Sequence, residues 1–448
     1  MNTFRTLALI LAGLGGLASA PMASAQGVIR DAEIEGILRS YSDPIFEAAG
    51  LKPSDVDLFI ISDPSLNAFV AGGQRVHLNT GLIMASERPE ELKGVIAHET
   101  GHIAGGHNVT RRQAMEAGNF TSMISIGLGV LAIAAGAPDA GMALIGSAPQ
   151  FGLLTLFKYT RNEESSADQY GLTFLEKTGQ SADGLVAFME RFRYQELMSE
   201  TRRDPYFRSH PVSTDRIGIM RSRASDISAR ASPQSEESLN QLAIMKAKLV
   251  GFLQPASRVF SKYPKSDTSI PARYARAIAA YRALDIKAAT LDTQALITDF
   301  PDNPYYHELM GQILFENGRI MESIPPHRRS VELAPDQALL KVNLARSLSE
   351  TKDAENLKEA EGLLIDALVL ERDNAFAWNQ LARVYARQSR VGDADLATAE
   401  EAYAVGDIQR AFVFSRRASS KLDPSTPNGR RASDIAAITD PRLNGRRS

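Results

Sequence analysis

GVIAHETGHIAGGHN, residues 94–108, packs three of the chain's seven histidines around one glutamate. His98 and His102 stand four residues apart, so on a helix they lie about 40° apart around the axis and can face one ion. Glu99 sits beside them, placed to take a proton from water activated at that ion. Val95, Ile96 and Ala97 come just before and make the helix a buried one, whose polar groups need partners. The pattern predicts a helix from about Pro89 to His107, with Pro89 suited to its first turn. Two histidines do not hold zinc: a catalytic zinc takes three protein ligands and keeps a fourth position open. His107 is one source of the third. It comes five residues after His102, one short of the spacing in H-E-x-x-H-x-x-G-x-x-H, although Gly105 matches that pattern's glycine. A downstream carboxylate is the other source. YTRNEESSADQYGL, residues 159–172, puts Glu164 and Asp168 on one helical face, with Glu163 as a fallback ligand.

The rest of the chain narrows the chemistry. Its 448 residues are enough for two folded units, and a net charge of -3 offers no basic excess for nucleic acid. There is no cysteine, so any metal must use His, Asp or Glu, and thiol nucleophiles and disulfides are excluded. Residues 1–25 read as a secretory signal peptide: Arg5, an apolar run from Leu7 to about Leu17, and small residues up to a cleavage point after Ala25. The apolar run is too short to span a bilayer, which takes about 20 residues, and a bacterial periplasm is the expected destination.

Beyond the leader, helical periodicity runs from about Val28 to Gly50, followed by the strand-like runs DLFIIS, NAFVAG and RVHLNTGLI. From Ser122 to Phe157 the single charge is Asp139, and Pro138 and Asp139 divide the segment into two apolar pieces. This apolar hairpin, 122–157, either packs on the catalytic domain or makes a shallow, peripheral membrane contact. Helices are expected from Lys158 to Lys177, from Ala182 to Met198, and, after the polar loop SETRRDPYFRSHP, up to Ala229. A linker, 230–238, then separates a catalytic domain at 26–229 from a helical domain at 239–448. There FPDNPYYHELMGQILFENGR aligns with LAPDQALLKVNLARSLSETKD, Pro301 over Pro335, and ERDNAFAWNQLARVYARQSR follows. The period of 34 and the small residues Gly311 and Ala345 resemble tetratricopeptide repeats, although Pro325 and Pro326 fall where a second helix should begin. The expected class is α+β, mainly helical, with a small sheet in the first domain and an all-α repeat domain after it.

HETGH together with RNEESSAD resembles the HtpX and CAAX-prenyl-endopeptidase family of gluzincins, whose signature is H-E-x-x-H followed by E-x-x-x-D on a later helix. The resemblance implies a zincin-like peptidase holding one zinc on His98, His102 and Glu164, with Asp168 hydrogen-bonded to a ligand histidine and Glu99 as the general base. NAFVAGGQRVHLNTGLI, Asn67 to Ile83, resembles the family's strand segment that pairs with substrate backbone, and SHPVSTDRI, Ser209 to Ile217, resembles its H-P-x-x-x-x-R segment. His210 and Arg216 are thereby candidates to stabilise the oxyanion. His210 has a rival role. It precedes Pro211 in a polar loop and could swing onto the open metal position as a fourth ligand, a latch that keeps the enzyme inactive. A leader, a peptidase domain and C-terminal repeats also match the family's periplasmic members. By that resemblance the substrates are misassembled outer-membrane proteins and the partners their assembly machinery. A chaperone or scaffold with a mostly latent site is the alternative.

Overall fold

The computed structural model describes residues 27–107, 161–198, 202 and 204–444. The expected leader at 1–25 and the apolar hairpin at 122–157 therefore lie outside the described residues. Among the described residues, no helix is long and apolar enough to cross a membrane.

The first part alternates one small sheet with helices. Strand β1 (Val28–Ile29) leads into α1 (Ala32–Ala48), whose first turn is capped by the Asp31 carboxylate accepting from the backbone N–H of Ile34 at 2.9 Å. Strands β2 (Asp57–Ile61), β3 (Ala68–Val70) and β4 (Arg75–Asn79) follow. The order is β1-β2-β4-β3, with β2 parallel to β4 and the outer pairs antiparallel. Val76 and Leu78 of β4 are buried with Ala68 and Val70 of β3, the alternation that one covered face produces. On the opposite face the His77 ring stacks between Phe59 and Phe69. The last strand does not run to the end of RVHLNTGLI, as its β-branched and apolar residues suggest. It stops at Asn79, and the chain turns into helix α2 (Thr80–Ala85), where Gly81 passes tight against the carbonyl of Pro64 and leaves no room for a side chain.

Helix α3 (Pro89–Ala104) carries the histidine motif through the centre of this part, packed on α4 (Arg161–Lys177), α5 (Asp183–Glu190) and the sheet. It stops three residues before His107, and Gly106 at φ +67 turns the chain back, a conformation that favours glycine. The helix expected up to Met198 ends at Glu190. Past it the chain turns so that Phe192 packs against Phe188 and Tyr206. The expected polar loop contains a short helix, α6 (Pro205–Ser209), started by Asp204 accepting from the Tyr206 N–H, because Tyr206 and Phe207 are buried. Helix α7 (Thr214–Ser228) completes the site's surroundings.

The helices beyond come in pairs. They are α8 (Glu236–Leu253), α9 (Ala256–Lys262), α10 (Ile270–Arg282), α11 (Ile286–Asp299), α12 (Pro304–Glu316) and α13 (Ile320–Leu333). Then follow α14 (Ala338–Glu350), α15 (Ala354–Leu370), α16 (Ala375–Arg387), α17 (Val391–Ala404), α18 (Ile408–Ser419), α19 (Pro427–Ile438) and α20 (Pro441–Asn444). First helices start at 270, 304, 338, 375 and 408, so the repeat read from Pro301 and Pro335 extends in both directions. Pro325 and Pro326 lie inside α13, which starts upstream of them at Ile320. Their missing N–H groups leave the carbonyls of Met321 and Glu322 without helix partners on a solvent-facing turn, where water can serve. The core does not stop at residue 238: one cluster runs from Ile34 through the site helices to Tyr274, Leu309 and Ile313.

Candidate metal centre

Four side chains converge: His98 and His102 from α3, Glu164 from α4, and His210 at the end of α6. Each offers one ligand atom, these atoms lie within 4.8 Å of one another, and all four residues are fully buried. His98 Nε2 is 3.2 Å from His102 Nε2, 3.5 Å from Glu164 Oε2 and 3.4 Å from His210 Nδ1. His102 Nε2 is 3.4 Å from Glu164 Oε1, and His210 Nδ1 is 3.0 Å from the same oxygen. Zinc bonds of about 2.0–2.1 Å make tetrahedral donor–donor edges of about 3.3–3.4 Å. The donor set therefore fits zinc in both spacing and chemistry, three imidazoles and a carboxylate with no thiolate.

The helix crossing produces this spacing. A Cβ on Gly101 would sit 2.5 Å from the carbonyl oxygen of Ala167, so only glycine lets α3 and α4 approach this closely. Groups behind the donors hold them in place. The Asp168 carboxylate lies 3.0 Å from His98 Nδ1, which leaves Nε2 turned toward the other donors. Arg216 donates to Asp168 through Nε (2.8 Å) and Nη2 (2.9 Å), and its Nη1 meets Glu164 Oε2 at 3.0 Å and the Pro211 carbonyl at 2.5 Å. Glu99 is buried next to the donors, its Oε1 3.5 Å from His210 Nε2. Glu163, the fallback, stands outside the donor set. So does His107: its Nδ1 is 2.9 Å from His102 Nδ1, on the side of that ring away from Glu164, and its Nε2 is 3.0 Å from Ser166 Oγ. The metzincin spacing does not describe this site.

Electrostatics agree with a cation at this point. Burial works against charge on His98, but Asp168 and Glu164 override it and push its pKa up to about 10. Burial works in the opposite direction on Glu164, yet the nearby His210 and the bonds from His102, His210 and His98 hold its carboxyl well below the usual range. Burial keeps His102 neutral, its pKa well below that of free imidazole.

Two contributors escaped the sequence reading. Tyr206 stacks on the His210 ring, with centroids 4.6 Å apart and planes at 22°. Its position four residues before His210 was the available signal, hidden because the stretch read as a loop. Ser166, inside the stretch already singled out, is the other.

Residues 30–224 match peptidase family M48. The β-barrel assembly-enhancing protease of Escherichia coli (strain K12) is 24% identical over 372 residues, which cover 81% of this chain and 74% of that protein. The metalloprotease YcaL of the same organism is 29% identical over 171 residues, 38% of this chain and 62% of the relative. Among solved structures, YrrB, a TPR protein with an unusual peptide-binding site, aligns with 39% of this chain and 91% of its own at 17% identity and a TM-score of 0.33. The H-E-x-x-H helix, the fitting donor set and the match of residues 30–224 to peptidase family M48 together make the chain a zinc metalloendopeptidase.

Proposed function

We propose that the chain is exported by residues 1–25, works in the periplasm, and cleaves misassembled outer-membrane proteins, with the repeat region 239–448 recognising them or their assembly machinery. The likeness to the Escherichia coli β-barrel assembly-enhancing protease and the leader-like start support this substrate class and location. A shallow membrane contact through 122–157 belongs to the same reading.

His98, His102 and Glu164 are the ligands in this proposal. Zinc, when bound, supplies Lewis acidity toward an attacking water and toward the peptide carbonyl. Glu99 accepts the water's proton and returns it to the leaving amide nitrogen. Asp168 holds His98 in its productive tautomer. Arg216, a sequence-derived candidate for the oxyanion, is assigned instead to holding Asp168 and Glu164, since its donors are spent on those carboxylates and on Pro211. His210 is the latch. The observation that carries this is the position of its Nδ1, 3.0 Å from Glu164 Oε1 and 3.4 Å from His98 Nε2, where it closes a four-donor set and its ring occupies the space beside Glu99. A closed set of four is the structural kind and leaves no place for water. Substrate held by the repeats would favour the open state by differential binding.

His210→Ala should keep one zinc per chain and raise proteolysis, self-cleavage included. If instead zinc stays and turnover falls by roughly 100-fold or more, His210 stabilises the oxyanion and the latch is wrong. The closed set also supports the scaffold reading, which predicts that Glu99→Gln still sustains outer-membrane assembly in cells.

A further inference from the structure

His107 is the third histidine of the opening motif, and neither the donor set nor the proton transfers use it. Its place is specific. After Gly106 reverses the chain, the imidazole folds back over the end of α3, and a Cβ on Gly105 would lie 2.5 Å from His107 Nε2. The ring is buried, with Nδ1 facing His102 Nδ1 at 2.9 Å and Nε2 facing Ser166 Oγ at 3.0 Å. Ser166 Oγ in turn donates to the backbone carbonyl of Glu163 at 3.2 Å.

We propose that His107 is a positioning residue that, with Ser166 behind it, sets the tautomer of His102. The direction of the chain follows from its far end. With the Ser166 hydroxyl donating to the Glu163 carbonyl, its single proton is used there and its oxygen presents a lone pair to His107. His107 then carries its proton on Nε2 and offers a bare Nδ1. His102 must place its own proton on Nδ1, which leaves its Nε2 lone pair aimed at His98, Glu164 and the metal position. No step needs a charged imidazole.

The two ligand histidines are thus held by different means. His98 has an anion behind it, Asp168, itself shared with Arg216. His102 has a neutral imidazole. A carboxylate partner raises the basicity of a ligand histidine more than a neutral acceptor does. This asymmetry limits the negative charge already supplied by Glu164 and Asp168 and preserves the metal's Lewis acidity. One turn and a half of α4 organises all of it, with Glu164 as ligand, Ser166 behind His107 and Asp168 behind His98.

The inference rests on His98, His102 and Glu164 being the ligands, and the test separates the two ideas. In full-length, zinc-loaded protein labelled with nitrogen-15 histidine, coupling across the short Nδ1···Nδ1 hydrogen bond should identify the pair. The proton should be bonded to His102 Nδ1, with a second proton on His107 Nε2. A proton on His107 Nδ1, or a bare His107 Nε2, overturns the relay. Failure to take up one zinc overturns the ligand assignment instead. His107→Ala should weaken zinc binding, read by chelator competition, by about 10-fold to 100-fold. His107→Gln, whose amide oxygen can accept from His102, should recover part of that loss. Unchanged affinity in a folded His107→Ala protein would also overturn the proposal.

Discussion

Glu163 and Glu164 differ by one position and by about 100° around α4, and that angle separates a bystander from a donor. Glu164 points at two imidazoles of α3, while Glu163 contributes its backbone carbonyl to Ser166. The choice was legible in sequence, because only Glu164 has an aspartate four residues on. The partners of His107 were not, since they require α3 to end where it does and α4 to cross at this height. Glu164→Ala should purify with far less than one zinc per chain, whereas Glu163→Ala should keep its metal; elemental analysis of the two proteins decides it. Equal loss in both would mean that the carboxylate assignment is wrong.

The converging donors sit on separate helices, so the site is only as good as the α3–α4 crossing. Gly101 is where the two backbones meet, 2.5 Å from Ala167 O for an added Cβ, and backbone cannot yield as a flexible side chain can. Gly101→Ala should therefore push α4 away and carry Glu164 and Asp168 with it. The expected result is a loss of stability of roughly 1–3 kcal/mol, as for other overpacked contacts, together with weaker zinc binding. Gly218→Ala is the contrast. Gly218 lies exposed on α7 with nothing within 4 Å of an added Cβ, so alanine should stabilise by up to about 1 kcal/mol through helix propensity. Urea unfolding of both variants measures the difference, and a Gly101→Ala protein as stable as wild type would show that the crossing tolerates separation.

Peptidase and repeats share more than a chain. Lys248 of α8, 3% exposed, meets Asp31 Oδ2 at 2.8 Å and Glu33 Oε2 at 3.1 Å, and Tyr274 of α10 donates to Glu33 at 3.1 Å. Beside them lies a cavity of about 440 Å³, walled by Arg30 to Ile34, α8, α12 and α14, with Glu308 on its lining. Burial pushes the Glu308 carboxyl up to about 7, against the pull of Lys248 and with Asp31 and Glu33 adding to the rise. An acid whose pKa is raised on folding keeps its proton while the unfolded chain has lost it. Stability from this group therefore falls as pH rises from about 4.5 to 7, and is level above that. Glu308→Gln removes the effect. The variant's Tm should exceed that of wild type by several degrees at pH 8 and by little at pH 5. A difference independent of pH would show that Glu308 is ionised throughout.

Local spacing sufficed wherever one helix carries its own meaning. HETGH put two imidazoles on one face, EESSAD put a candidate donor and a second carboxylate on another, and the 34-residue period announced paired helices, because helical geometry repeats every 3.6 residues regardless of surroundings. What spacing left open depended on contacts between distant segments. His210 reaches the donors only because Tyr206 buries beside Phe188 and Phe192 and drags a polar-looking stretch into the core. Arg216 turns to Asp168 and Glu164 because buried carboxylates demand a counter-charge that only the crossing of α4 and α7 supplies. The common core of peptidase and repeats likewise follows from apolar faces meeting in three dimensions, which a composition change at residues 230–238 does not reveal.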